Sequence, residues 1–230
     1  MNSVLLDFNT RAQEVDDYFI FLHGLSKQTT KLAVAHSAGQ YQIQSLNLEL
    51  EKTLKANGLL LLYNLVESTM RNAIVAIFDE LKNQAISFDQ LKPEIKMIVI
   101  QNLKNRSPKK IHLQMNQISI DIITATFERE ELFSGNVDAR LIKEIAEKYG
   151  FSYQTEPTKT KNGEKLVDIK DKRNDLAHGV KSFKEVGQGK TIEDLLEIKK
   201  EVIEYLRQIL ENIKTYLDNQ EYLDVTTGTP

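Results

Sequence analysis

The stretch from about Asn47 to Gln84 constrains this chain most. Its middle, Leu59-Leu-Leu-Leu-Tyr-Asn-Leu-Val66, is apolar nearly all round a helix. A helix of that kind has no face to give to water, so neighbouring elements must cover it. The expectation is a long central, buried helix with the rest of the chain packed round it. Gly58 is its weak point, at about 1 kcal/mol relative to alanine. At 230 residues the chain has ample length for such a core.

Most other segments read as helices too. Over residues 3–25, Leu5, Phe8, Ala12, Val15, Phe19 and Leu22 recur at helical spacing until Gly24 and Lys27-Gln-Thr-Thr30 end the pattern. Residues 26–45, with His36, Ser37, Gly39 and the alternating Tyr41 and Ile43, read as a loop or a short extended piece. One helix is expected over 88–105, with Pro93 in its first turn, and Arg106-Ser-Pro-Lys-Lys110 breaks it. Met115 to Phe127 fits a helix or a strand, because Ile118, Ile120, Ile122 and Ile123 are β-branched. After a turn at Ser134-Gly-Asn136, a short helix runs from Val137 to Tyr149 and is closed by Gly150. Thr155 to Gly163 is polar and is expected to form a mobile or cleavable loop. A helix from about Glu164 to His178 follows. Thr191 with Asp194 forms a capping-box pattern that opens a last helix to about Leu217, and the tail from Val225 to Pro230 is expected to fray.

Composition excludes several classes. There is no cysteine, hence no disulfide framework and no thiolate metal site, as suits a reducing cytoplasm. No apolar run reaches the ~18 residues that span a bilayer, and the N-terminus lacks a basic-then-apolar leader, so a cytoplasmic protein with no membrane partner is expected. The net charge is −3. A chain holding nucleic acid by bulk electrostatics is usually basic, so any RNA must be held by local patches. Those patches are Lys104, Arg106, Lys109 and Lys110, and then Lys159, Lys161, Lys165 and Lys172.

The chemistry concentrates in Asp171-Lys-Arg-Asn-Asp-Leu-Ala-His-Gly-Val180. Arg173 cannot lose its proton and can neutralise a phosphate, while the imidazole of His178 can move a proton near neutral pH. The same residues also allow a structural reading, in which His178 caps a helix with Gly179 after it and Arg173 pairs with a carboxylate. On the long helix, Asn64, Glu67, Ser68 and Arg71 fall on one face. They form either a solvent-facing strip with a Glu67–Arg71 pair or a polar wall facing the motif helix. Two stretches are decoys. Arg106 to His112 likewise sets an arginine a few residues before a histidine, but Pro108 is expected to keep it out of a single helix. Gly187-Gln-Gly-Lys-Thr191 ends like a phosphate loop, yet Lys184 stands where the first glycine belongs. His23, His36 and His112 lack ligand spacing, so no metal site and no cofactor are expected.

Arg173-Asn-Asp-Leu-Ala-His178 resembles the R-x4-6-H signature of HEPN ribonucleases, and "RNDLAHG" is most similar to the MAE-type HEPN-like nucleases. Phe8 to Glu14, Tyr63 to Asn72 and Ser134 to Arg140 fit the same subgroup. The resemblance implies an all-α, HEPN-type helical bundle over residues 1–230, with 86–150 as a helical or α+β elaboration packed on it. It implies a homodimer through the motif helices and metal-independent cleavage of RNA that leaves 2′,3′-cyclic phosphate and 5′-hydroxyl ends. His178 would be the base, Arg173 the phosphorane clamp and Asn174 the residue holding either. Glu67, with Asn64, Ser68, Arg71 and Asp175, would support them. A toxin or phage-defence role follows from the resemblance, with an antitoxin or neighbouring defence protein as partner. The alternative is a non-catalytic HEPN module that binds RNA or protein as a subunit of such a system. Some HEPN toxins carry, two residues after the histidine, a tyrosine that a partner nucleotidyltransferase modifies; here Val180 stands there, so silencing by that route is excluded.

Overall fold

The helix signals become helices near their expected bounds in the computed structural model, which describes residues 1–27, 29–35, 40–44, 47–112, 117–129, 132–133 and 135–224, with Lys110 and His112 described by backbone alone. Among the described residues the fold is all-α apart from one small hairpin. The elements are α1 (Asn2–Ser26), β1 (Leu32–Ala35), β2 (Tyr41–Gln44), α2 (Leu48–Asn83), α3 (Pro93–Lys104), α4 (Pro108–His112), α5 (Ile118–Ala125), α6 (Ala139–Tyr149), α7 (Pro157–Thr160), α8 (Lys165–Ala177), α9 (Phe183–Gly187) and α10 (Ile192–Asp218). They form two compact units, one of residues 6–66 and 157–205, the other of 1–5, 67–156 and 206–230. Both α2 and α10 contribute residues to each.

The first unit holds α1, the hairpin, the start of α2, α7 to α9 and the start of α10. The apolar stripe of α1, from Phe8 through Ala12, Val15 and Phe19 to Leu22, is buried, as are Leu59, Leu62, Tyr63, Leu65 and Val66 of α2. Shortening one of these leucines to alanine would cost roughly 2–5 kcal/mol. The helix is not covered all round, because Asn64 is exposed. Gly58 is not simply a weak point. A Cβ there would stand 2.9 Å from the Phe19 ring, so the glycine makes the seat for that ring. At the other end of this unit, a Cβ on Gly187 would fall 1.8 Å from the Lys52 carbonyl oxygen, and α9 therefore meets the α2 backbone directly. The glycine of the supposed phosphate loop serves packing. Strands β1 and β2 pair antiparallel, Ala33 with Ile43 and Ala35 with Tyr41, and every strand residue is exposed. The central part of the 26–45 expectation, His36 to Gly39, lies outside the described residues.

The second unit contains the rest of α2, α3 to α6 and the end of α10. Phe78 and Phe127 stack at 3.9 Å, and edge-on ring contacts run from Phe78 to Tyr149 and from Phe151 through Tyr216 to Tyr222. The Tyr216 hydroxyl donates to the Tyr149 carbonyl at 2.9 Å. Leu91 bridges antiparallel to Leu223, which ties the chain after α10 to the start of α3.

Several expectations change. The single helix over 88–105 is a 3-10 turn, Phe88–Gln90, followed by α3, which Pro93 opens as its first residue. A proline lacks the N–H that a helix start leaves unused, so it suits that place and not a helix interior. For the same reason Pro108 opens a separate helix, α4, after the break that was expected between the two. The isoleucine-rich run is the helix α5, and its 113–116 approach lies outside the described residues. The polar stretch 155–163 is wound into α7 and a 3-10 turn, where the buried Thr160 accepts a hydrogen bond from the Asn162 N–H through its side-chain oxygen. The fraying expected of 225–230 lies outside the described residues.

Candidate functional site

Helix α8 ends where the motif ends. The His178 N–H donates to the Asn174 carbonyl at 3.0 Å, the Gly179 N–H to Leu176 at 3.2 Å and the Val180 N–H to Asp175 at 2.8 Å. This is a Schellman closure, with Gly179 at φ 65° as the left-handed residue that turns the chain away. The geometry puts His178 at the helix cap with its side chain exposed.

Arg173 lies one turn earlier and is half-buried. Its guanidinium stands 4.8 Å from the centre of the Tyr63 ring, and Nη1 donates to Asn174 Oδ1 at 2.9 Å. A planar cation laid on an aromatic face and fixed by a hydrogen bond gives up little further freedom when it meets an anion. Asn174 thus holds both partners, Arg173 through its side chain and His178 through its backbone. Asp175 is occupied elsewhere: its carboxylate binds Lys181 Nζ at 2.8 Å and holds that ammonium above its ordinary range. Next along the chain, Ser182 and Glu185 form a capping box at the start of α9, and the Ser182 N–H and hydroxyl keep the Glu185 carboxyl below its usual range.

The polar line on α2 has its own bonds. Arg71 pairs with Glu67 at 2.9 Å, donates to the carbonyls of Arg129 at 2.8 Å and Phe133 at 3.4 Å, and stacks on the Phe133 ring. It straps the chain after α5. Ser68 is half-buried and Asn64 is exposed.

The basic stretches divide. Lys104 and Lys109 are exposed, and Lys110 is described by backbone alone. Arg106 is turned inward, contrary to expectation. Its side chain is 6% exposed, reaches the Thr126 carbonyl at 3.0 Å and pairs with Glu128 at 3.3 Å, because the bend before Pro108 points it at the end of α5. Lys159 and Lys161 are exposed, and Lys165 and Lys172 are half-buried. Tyr63 was missed as a site residue. Its signal was an aromatic ring in an otherwise aliphatic run, which reads equally well as core.

The chain matches the model of the HEPN_MAE_28990-like HEPN family over residues 2–222. It belongs to that family. No curated protein and no solved structure is significantly similar to it. Membership in the HEPN group suggests a nuclease or an RNA-binding module. No helix among the described residues is long and apolar enough to cross a membrane.

Proposed function

We propose that this HEPN protein is an endoribonuclease of the toxin or phage-defence kind. The observation that carries the reading is the pairing of a ring-stacked, hydrogen-bonded Arg173 with an exposed His178 at the end of the same helix. In this reading His178 takes the proton of a ribose 2′-hydroxyl. The freed oxygen attacks the neighbouring phosphorus, the bond to the 5′-oxygen breaks, and that oxygen leaves with a proton as a 5′-hydroxyl. Arg173 offers two planar N–H groups to the phosphorane oxygens, where charge develops. Asn174 keeps the arginine aimed.

The step needs a base and an acid on opposite sides of the phosphorus, and one imidazole cannot stand on both. Five positions along a helix is a rotation of about 140°, so Arg173 and His178 do not share one face of α8. A two-fold homodimer through the motif helices supplies a second pair and a second imidazole. The test is purified protein incubated with total RNA in EDTA, followed by mapping of the ends. Cyclic phosphate and 5′-hydroxyl ends that survive chelation support the reading. Uncut RNA, or cutting that needs added magnesium or manganese, refutes it.

A further inference from the structure

The hairpin of β1 and β2 buries none of its strand residues. Tyr41 is 72% exposed and Ile43 65%, and neither strand has a further strand beside it among the described residues. A two-stranded hairpin alone is marginal in water, and a bare strand edge is a template for pairing with another chain. Edges that stay single usually carry charge or proline. This hairpin has neither, because no Asp, Glu, Lys, Arg or Pro lies between Lys31 and Glu49. Its register sorts the side chains into two faces. Ala33 lies opposite Ile43 and Ala35 opposite Tyr41, which makes one face wholly apolar, while Leu32 and Val34 share the other with Gln44 and Gln42.

We propose that β2 pairs with β2 of a second copy of this chain, antiparallel and in register about Gln42. Gln40-Tyr-Gln-Ile-Gln44 alternates polar and apolar residues symmetrically about its middle residue. A two-fold axis at Gln42 therefore sets Gln42 against the partner's Gln42, Tyr41 against the partner's Ile43 and Gln40 against the partner's Gln44. The product is a four-stranded sheet in the order β1, β2, β2, β1. Its apolar face joins Ala33, Ala35, Tyr41 and Ile43 of both copies across the axis. An aromatic residue directly opposite a β-branched one is a favourable cross-strand pair, and the symmetry makes two of them. The glutamines meet on the other face, where each amide offers two donors and an acceptor. A slip of one residue would set Tyr41 and Ile43 opposite glutamines, so the pattern selects this register. The lack of charge leaves nothing to repel an identical strand and nothing to attract a charged partner. A contact of this isologous kind is satisfied by two copies. It needs neither RNA cleavage nor the meeting of the motif helices.

The chain has no cysteine, so one introduced thiol reports one position. Residues directly opposite in an antiparallel pair have Cα atoms about 4.5–5.5 Å apart, within the span of a disulfide. Full-length Gln42→Cys protein, mildly oxidised, should therefore give a covalent dimer. Gln44→Cys should give about ten-fold less, because its two copies stand four residues apart along the strands, about 13 Å. Mixing Gln44→Cys with Gln40→Cys protein should restore the cross-link. Side-chain pairing is tested in the Gln42→Cys background, with changes only at residues that are exposed in the single chain. Tyr41→Lys with Ile43→Lys sets like charges opposite each other and should cut the yield about ten-fold, whereas Tyr41→Glu with Ile43→Lys sets opposite charges together and should keep it. Light scattering of the unaltered protein should give a mass of two chains or more. A monomeric mass, a dimer that Gln42→Cys does not lock, equal cross-linking at 42 and 44, or a yield indifferent to the lysine pair overturns the proposal.

Discussion

Arg106 and Arg173 each precede a histidine at a spacing suited to phosphodiester chemistry, and they end in opposite environments. Arg106 lies in the bend between α3 and α4, with its side chain buried against the end of α5. Its histidine, His112, closes a separate five-residue helix that Pro108 opens. Arg173 lies inside α8, laid on a ring, and its histidine caps the same helix. The difference shows that spacing is a one-dimensional signal. An unbroken helix fixes the angle and rise between two side chains, and a helix start placed between them removes that relation.

The comparison can be broken most directly with the histidines. His178→Ala should lower RNA cleavage by on the order of 10²–10⁴-fold, the usual contribution of a positioned proton-transfer group, whereas His112→Ala should leave the rate within about two-fold. Equal losses in single-turnover assays would erase the distinction. Next come the arginine variants: Arg173→Lys should lose nearly as much cleavage as Arg173→Ala, about 10²-fold, because an ammonium cannot make the planar two-point contact. A lysine variant close to wild type would show that charge alone suffices. Stability should invert the order. Arg106→Ala orphans the Thr126 carbonyl and should cost roughly 2 kcal/mol in urea unfolding, while Arg173→Ala should cost about 1 kcal/mol or less. The smallest effect concerns RNA affinity. Reversing the charge of Lys104 or Lys172 should each flatten the log–log salt dependence of binding by about one unit, and an unchanged slope would make both ordinary solvated lysines.

The long helices were legible because their apolar spacing and caps are local: Thr191 and Asp194 bond reciprocally at the start of α10, as the capping box required. The end of α8 was legible for the same reason, since His178 followed by Gly179 is a helix stop written in two residues. Tertiary contacts were not. Nothing near Gly58 announces that Phe19 fills its place, and nothing near Arg106 announces the Thr126 carbonyl. The turns wound into 157–163 were not legible because the burial of Thr160 is a tertiary contact that composition cannot reveal. The contact of Tyr63 with Arg173 was not legible because an aromatic ring in an aliphatic run reads as core.

The backbone contact at Gly187 has a consequence for how the motif end can vary. His178 is fixed at the close of α8, and Gly187 is pinned against Lys52, so Val180 to Val186 span two anchored points. Six of those seven residues, Val180 to Glu185, are exposed. Their identities are open to change, but their number is not: a residue added or removed there must shift either the imidazole or α9. The segment behaves as a spacer of set length, and an insertion in it disturbs the histidine more than any surface substitution along it.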